Sequence, residues 1–331
     1  MQRHTEVPQA VKIKICRSAR EMLQLRPLWE SICASTNCTI FQSFELNLLA
    51  AGLFADREEP HVVCAESPDG VAIVPAALRH SDGSIRLLGE ELFDYRGFLH
   101  TGDPTVLRMA LAALAELERP MEILALREPD RNRVTDELQL IPFAAAPGVN
   151  CAHISAKQLG AEHPRLGRNL RRLEKLGFAM KTSDGANAQL LHSIYARKAA
   201  QQIGSLFHDL ARIEFLVRAA ALMPDVFEIF TLENGVSLAA VLVVLRDQGC
   251  RRFYTGWFAP EFEKHSPALS LIYEVTRQSL AAGLDCDYMT GEQPYKLRLA
   301  TNSVPLYRLR ATPEQLAGLG LPATKELLSV A

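Results

Sequence analysis

The densest chemistry in the sequence lies between Asp285 and Lys296. Asp285 and Asp287 alternate across Cys286 in DCDYMTG, so a regular strand would point both carboxylates to one side. Glu292 follows Gly291 just past that run, and Tyr295-Lys296 come three residues later. A carboxylate, a phenol and an ammonium this close together could relay a proton and hold an anion. Glu292 is the first choice for a general base, and Lys296 for a cation that binds a carboxylate or phosphate. Tyr295-Lys296 also reads as the start of an amphipathic helix with snorkelled ends. Asp287, if it faces the fold, should be hydrogen-bonded, because an unpaired buried charge is unfavourable.

Two further segments could bind anions. Ser266-Pro267-Ala268-Leu269-Ser270 opens a helix, with proline near its first position and an apolar stripe of Leu269, Ile272, Tyr273 and Thr276 behind it. Its first free N–H groups and positive dipole end make an anion site; serine before proline also serves as a cap alone. In HPRLGRNLRRLEKLG, Arg165, Arg168, Arg171, Arg172 and Lys175 share one side of a helix over 163–177. That side reads as a solvated face or as a phosphate-binding wall. The seven cysteines contain no Cys-x-x-Cys and the nine histidines no His-x-x-x-His, so neither a metal site nor a disulfide framework is expected. Gly-x-Ser-x-Gly, P-loop and dinucleotide fingerprints are absent too.

These residues need a scaffold, and the chain is long enough for two domains. It has 331 residues, of which 48% are hydrophobic and 22% charged, an ordinary globular composition. The net charge of −2 argues against a whole-surface nucleic-acid binder. No run is apolar enough to span a membrane, and the start lacks a signal-type apolar segment, so a reducing cytoplasm with free thiols is expected. Turn signals set the architecture. Asp69-Gly70 and Asp82-Gly83 separate three apolar runs in the first half, as Asn234-Gly235 and Asp247-Gln248-Gly249 do in the second. Gly70 and Gly235 stand 165 residues apart, and Gly83 and Gly249 stand 166 apart. The helix and strand after each three-strand meander repeat at 163 and 164 residues, near half the chain. The spacing predicts β-α-α-β-β-β-α-β-α-β twice, a mixed α/β fold in two copies over 1–150 and 151–331.

The second-half order is similar to that of the GNAT acyltransferase fold. Tyr254-Thr255-Gly256-Trp257-Phe258, Ser266-Pro267-Ala268-Leu269, Asp287-Tyr288-Met289-Thr290-Gly291-Glu292 and Tyr295-Lys296 resemble the bacterial CelD-type acetyltransferase-like proteins, named for cellulose biosynthesis. Trp29, Phe41-Gln42-Ser43 and Asp94-Tyr95 extend the resemblance into the first half, and the tandem order is shared with Fem-type transferases. The sequence departs from the family at Ala268, where glycine is usual, and in having no Gly-x-Gly at the helix start. These departures bear on donor binding, not on the fold.

The resemblance implies two tandem GNAT-like domains, the first catalytically silent and the second holding the site. Acyl-CoA would be a co-substrate, with no permanently bound cofactor and no metal. The strand Tyr254, Thr255, Gly256, Trp257 would pair with the pantetheine arm, and the helix start Ser266, Ala268, Leu269, Ser270 would receive the pyrophosphate. Tyr295 would protonate the leaving thiolate. Lys198, Arg171, Asp94 and Asp287 are candidates for contacts to substrate, and Phe207-His208 sits where an acceptor-binding helix is expected. The expected reaction moves an acyl group to an amine or hydroxyl of a sugar or peptide acceptor in polysaccharide or cell-envelope biosynthesis. The alternatives are a Fem-type transferase using aminoacyl-tRNA and a non-catalytic binding factor on the same fold.

Overall fold

The structure, a computed structural model, describes residues 11–127 and 138–320. The contacts group the described residues into two compact units. One takes the residues up to Glu90, Arg96–Pro142 and those from Tyr307 on; the other takes Glu91–Tyr95 and Phe143–Leu306. The division therefore does not follow one cut near residue 150.

In the first unit, β1 (Lys12–Cys16) leads to helices α1 (Ala19–Met22), α2 (Arg26–Ser35) and α3 (Phe44–Leu53). Ser43 caps α3 by accepting from the Leu46 N–H. Next come β2 (Glu58–Ser67), β3 (Gly70–Arg79), β4 (Ile85–Leu87), β5 (Leu99–Gly102), α4 (Thr105–Ala113) and β6 (Met121–Arg127). The expected meander forms, but Gly70 matters for a different reason from turn geometry. It pairs with Ser67 inside the ladder, and a Cβ there would come within 2.7 Å of the Thr101 carbonyl oxygen. Glycine is needed because β5 packs its backbone against β3. α4 buries Val106, Leu107, Ala110 and Leu111 on one stripe, against strand residues such as Val63, Val74 and Ile123. The segment 128–131, expected as the first-half counterpart of Tyr295-Lys296, lies outside the described residues.

The second unit begins with β7 (Gln139–Val149), α5 (Ala156–Glu162), α6 (Pro164–Lys175), β8 (Ala179–Asp184), α7 (Ala188–Gln201) and α8 (Leu210–Leu222). Asp209 is the N-cap of α8 and accepts from the Ala211 N–H at 3.0 Å. The second meander is β9 (Phe227–Glu233), β10 (Leu238–Asp247) and β11 (Cys250–Phe258), turned at Gly235 and Gly249 with φ of +83° and +78°. Then follow α9 (Pro267–Ala281), β12 (Asp285–Asp287), α10 (Pro294–Leu299), β13 (Asn302–Ala311) and α11 (Pro313–Leu319). β10 is buried from Ala239 to Leu245, as a central strand covered on both faces should be.

Strand order is β1-β2-β3-β4-β6-β13 in the first unit and β8-β9-β10-β11-β12-β7 in the second. Each meander is antiparallel and is followed by one parallel pair, β4 with β6 and β11 with β12. The sequence pattern placed each final strand in its own half. Instead, β13 pairs with β6, and β7 pairs with β12 through Val149 and Gly148. β11 and β12 pair only at residues 250–252 and 285–287, so β11 runs on to Phe258 without a partner on that side.

Candidate functional site

A cavity of about 580 Å³ opens where β11 loses its β12 partner. It is lined by the β11 residues from Phe253 to Gly256, by Ala268, Leu269 and Ile272 near the start of α9, and by Met289, Thr290 and Gln293. α7 and the turn after it add Lys198, Ser205 and Phe207, and the Glu91–Tyr95 segment adds Glu91, Leu92 and Asp94. All of these belong to the second unit. A cavity at the C-terminal edge of diverging strands fits the general rule for α/β ligand sites.

β11 is shaped for this place by a bulge. Val243 pairs with Thr255 and Val244 with Phe253, leaving Tyr254 as an extra residue. The Tyr254 hydroxyl donates to the Leu92 carbonyl at 3.0 Å. Thr255 and Gly256 line the cavity, and the Gly256 carbonyl accepts from Lys198 Nζ at 2.9 Å. Burial holds the Lys198 pKa below its ordinary value.

The other wall comes from the strand-to-helix turn after β12. Met289 and Gly291 take φ of +64° and +105°, conformations usually left to glycine. The Asp287 carboxylate accepts from the Met289 N–H at 2.8 Å, and the Thr290 hydroxyl donates to the Asp94 carbonyl at 3.2 Å. Buried Lys296 donates from Nζ to the carbonyls of Met289 (3.2 Å) and Thr290 (2.8 Å). Its pKa is lowered by burial, against the raising effect of Asp94 and Asp287. Tyr295 lines the cavity with its pKa raised by burial, so its phenol stays protonated at neutral pH.

Of the residues singled out from sequence, Tyr254, Thr255, Gly256, Ala268, Leu269, Tyr295, Lys296, Lys198 and Asp94 converge on the cavity, as does Phe207. Six do not. Glu292 is exposed on the turn outside it. Asp287 is committed to the fold, as its inward alternative anticipated: it accepts from Tyr95 at 2.7 Å and from Arg252 at 2.5 Å. Arg252 also donates from Nε to both carboxylate oxygens of Asp247, at 2.9 and 3.0 Å, so these side chains join in one ionic network. Ser266 has φ +50° and makes no side-chain cap, contrary to the capping reading. It also ends the six-residue 3₁₀ helix Pro260–His265, and the left-handed geometry of that ending displaces N-cap geometry. Ser270 is fully buried, with its hydroxyl on the Ser266 carbonyl at 2.9 Å. Trp257 stacks under Arg197 at 5.1 Å instead of facing the cavity. Arg171 is exposed on α6 with Arg165, Arg168, Arg172 and Lys175, away from the cavity lining. Among the described residues, no three His, Cys, Asp or Glu side chains gather as metal ligands would.

Sequence reasoning did not find Leu92, Met289 or Gln293 as lining residues. Leu92 joins through a bond spanning 162 residues, which no local pattern announces.

Comparison with known proteins agrees with this geometry. Residues 163–297 match the acetyltransferase (GNAT) domain family, a stretch that contains every lining residue from Lys198 to Lys296. The chain thus carries an acyltransferase domain of the GNAT class. No curated protein matches it in sequence. In structure it is similar to the tandem GNAT protein from the clavulanic acid biosynthesis pathway, solved without AcCoA, at 10% identity and TM-score 0.51, covering 92% of this chain and 99% of that one. It is also similar to FemX (11%, TM-score 0.58, 89% and 98%) and to L-PGS from Bacillus licheniformis (9%, TM-score 0.58, 88% and 94%). These likenesses define a mixed α/β fold of two GNAT-like domains in tandem, and the GNAT fold generally uses acyl-CoA as co-substrate.

Proposed function

We propose that the second unit transfers an acyl group from acyl-CoA to an amine or hydroxyl of a sugar or peptide acceptor, and that the first unit is catalytically silent. The carrying observation is the protonated Tyr295 phenol, which lines the cavity beside the bulged part of β11 beyond its pairing with β12 and makes no hydrogen bond to the described residues. The acceptor nitrogen or oxygen attacks the thioester carbon, and the carbon–sulfur bond breaks. Tyr295 donates its proton to the departing sulfur and regains one from solvent. Asp94 takes the acceptor's proton. We prefer it to Glu292 because it lines the cavity, whereas Glu292 is exposed on the turn outside it. The start of α9 is the place for the donor's phosphates, with Ala268 and Leu269 at its inner side.

A role in polysaccharide or envelope biosynthesis rests on the CelD-type residues noted above. A reducing cytoplasm rests on the cysteine pattern noted above, isolated residues with no Cys-x-x-Cys. No helix among the described residues is long and apolar enough to cross a membrane. One observation favours aminoacyl-tRNA as donor instead: the exposed face of five cations on α6, together with the likeness to FemX.

The test is thermal unfolding with coenzyme A and acyl-CoAs of increasing length. A ligand at 100 times its Kd adds about 2.7 kcal/mol to native stability, a visible rise in melting temperature. A rise that depends on acyl length is expected. No rise with any thioester, alongside salt-sensitive tRNA binding, would replace the donor.

A further inference from the structure

Two lysines face the cavity, and neither is in an ion pair among the described residues. An ammonium has three donors. Lys198 spends one on the Gly256 carbonyl, and Lys296 spends two on Met289 and Thr290. Neither has any other hydrogen bond or ion pair among the described residues. The carboxylates nearby do not fill the gap. Glu91 lines the cavity but is paired with Arg212, Asp287 is committed to Arg252 and Tyr95, and Asp94 acts on Lys296 only through space. Burying an ammonium among neutral carbonyls is unfavourable unless an anion joins it. Here the burial is shared by two such groups on separate elements, α7 and α10, around one space of about 580 Å³.

We propose that Lys198 and Lys296 form an anion subsite, and that a carboxylate or phosphate carried by the acceptor or by the acyl group completes it. The pantetheine arm of a donor is uncharged, so a donor bound along β11 would leave both lysines unsatisfied. Lys296 is the fixed member, tied into the 289–290 turn. Lys198 is the adaptable one, half-buried on a long stem with two donors uncommitted. The subsite deepens the acyl-transfer reading by naming the charge of a substrate, and for that word alone it rests on that reading.

The experiment compares ligands matched in shape but not in charge, by calorimetric titration of the full chain. Glucosamine is set against glucosamine 6-phosphate and 2-amino-2-deoxyglucuronic acid, and butyryl-CoA against succinyl-CoA. At least one member with the added anion is expected to bind about tenfold more tightly than the counterpart that lacks it, equivalent to about 1.4 kcal/mol. A preference in the sugar series assigns the anion to the acceptor and separates phosphate from carboxylate; a preference in the thioester series assigns it to the acyl group. Lys198→Met should abolish the preference and Lys198→Arg should restore most of it, whereas Lys296→Met is avoided because it also frees the turn. Equal binding within every pair overturns the subsite, and so does an undiminished preference in Lys198→Met. Thiol release is measured in parallel. Its absence with every acyl-CoA would sink the acyl-transfer reading while leaving a charge preference standing.

Discussion

At the scale of single residues, Tyr295 and Lys198 separate chemistry from packing. Tyr295→Phe keeps the ring and removes only the hydroxyl, which has no hydrogen-bond partner among the described residues. Its melting temperature should stay within a degree or so, while kcat falls on the order of 10²-fold if the phenol is the acid. An unchanged kcat would remove Tyr295 from the reaction. Lys198 makes a pH prediction. Its pKa in the folded chain is lowered from the ordinary 10.5, so between the lowered value and 10.5 the unfolded chain holds more protons. Stability contributed through this group therefore rises with pH across that window, and the penalty is greatest below it. Lys198→Met should thus melt above the wild type at neutral pH, and the gap should narrow as pH climbs toward 10.5. A gap independent of pH would mean that burial of this ammonium carries no penalty. Tyr295 and Lys296 were legible in the sequence because they sit next to each other in a short run. The inertness of Asp287 was only half legible: alternation gave its direction, but its partner Tyr95 lies 192 residues away.

At the scale of elements, the site depends on two backbone turns whose geometry the sequence hides. The turn after β12 holds Met289 and Gly291 at positive φ, and its carbonyls are fastened by Lys296. Gly291→Ala would put a Cβ 3.0 Å from the Gln293 amide at φ +105°, so we expect a loss of about 1–3 kcal/mol in denaturant unfolding, together with weaker acyl-CoA binding. Unchanged stability would show that the turn can relax without Lys296 losing its carbonyls. The opposite substitution belongs at the start of α9. Ser266 pays a left-handed φ of +50° without a capping bond in return, so Ser266→Gly should be neutral or stabilising by ~0.5–1 kcal/mol. A clear loss of stability would assign the Ser266 hydroxyl a role that the structure does not show. Ser-Pro at a helix start reads as a cap by frequency. The reading failed because the preceding Pro260–His265 turn needs the same residue as its own ending. Helices α7 and α8, by contrast, follow the expected β-α-α order, because apolar periodicity is a local signal.

At the scale of the whole molecule, duplication was legible and its execution was not. Hairpin turns are local, so the paired meanders at half-length spacing could be read directly. The partners of β6 and β12 come from distant sequence, β13 and β7, and strand exchange of this kind leaves no periodic trace. The two copies also differ where it matters most. β11 is continuous from Cys250 to Phe258. Its first-half equivalent is broken into β4, on Ala76–Leu78, and β5, on Gly70–Ile73, with residues 88–98 between them. Part of that interruption, Glu91–Tyr95, serves the second unit: Leu92 accepts from Tyr254, Phe93 packs on Phe215 at 6.0 Å and Tyr95 donates to Asp287. A strand interrupted in this way offers no continuous edge for a donor arm, which is the physical case for a silent first unit. The consequence is measurable by amide hydrogen exchange of the full chain with and without saturating acyl-CoA. Protection should rise in Cys250–Phe258, at the start of α9 and in 289–296, and in Glu91–Tyr95, while Leu99–Gly102 and α4 stay as they were. Protection appearing in β5 and the start of α4 would place a donor in the first unit and end the view that it is silent. Protection in neither unit would show that the GNAT fold here works without coenzyme A.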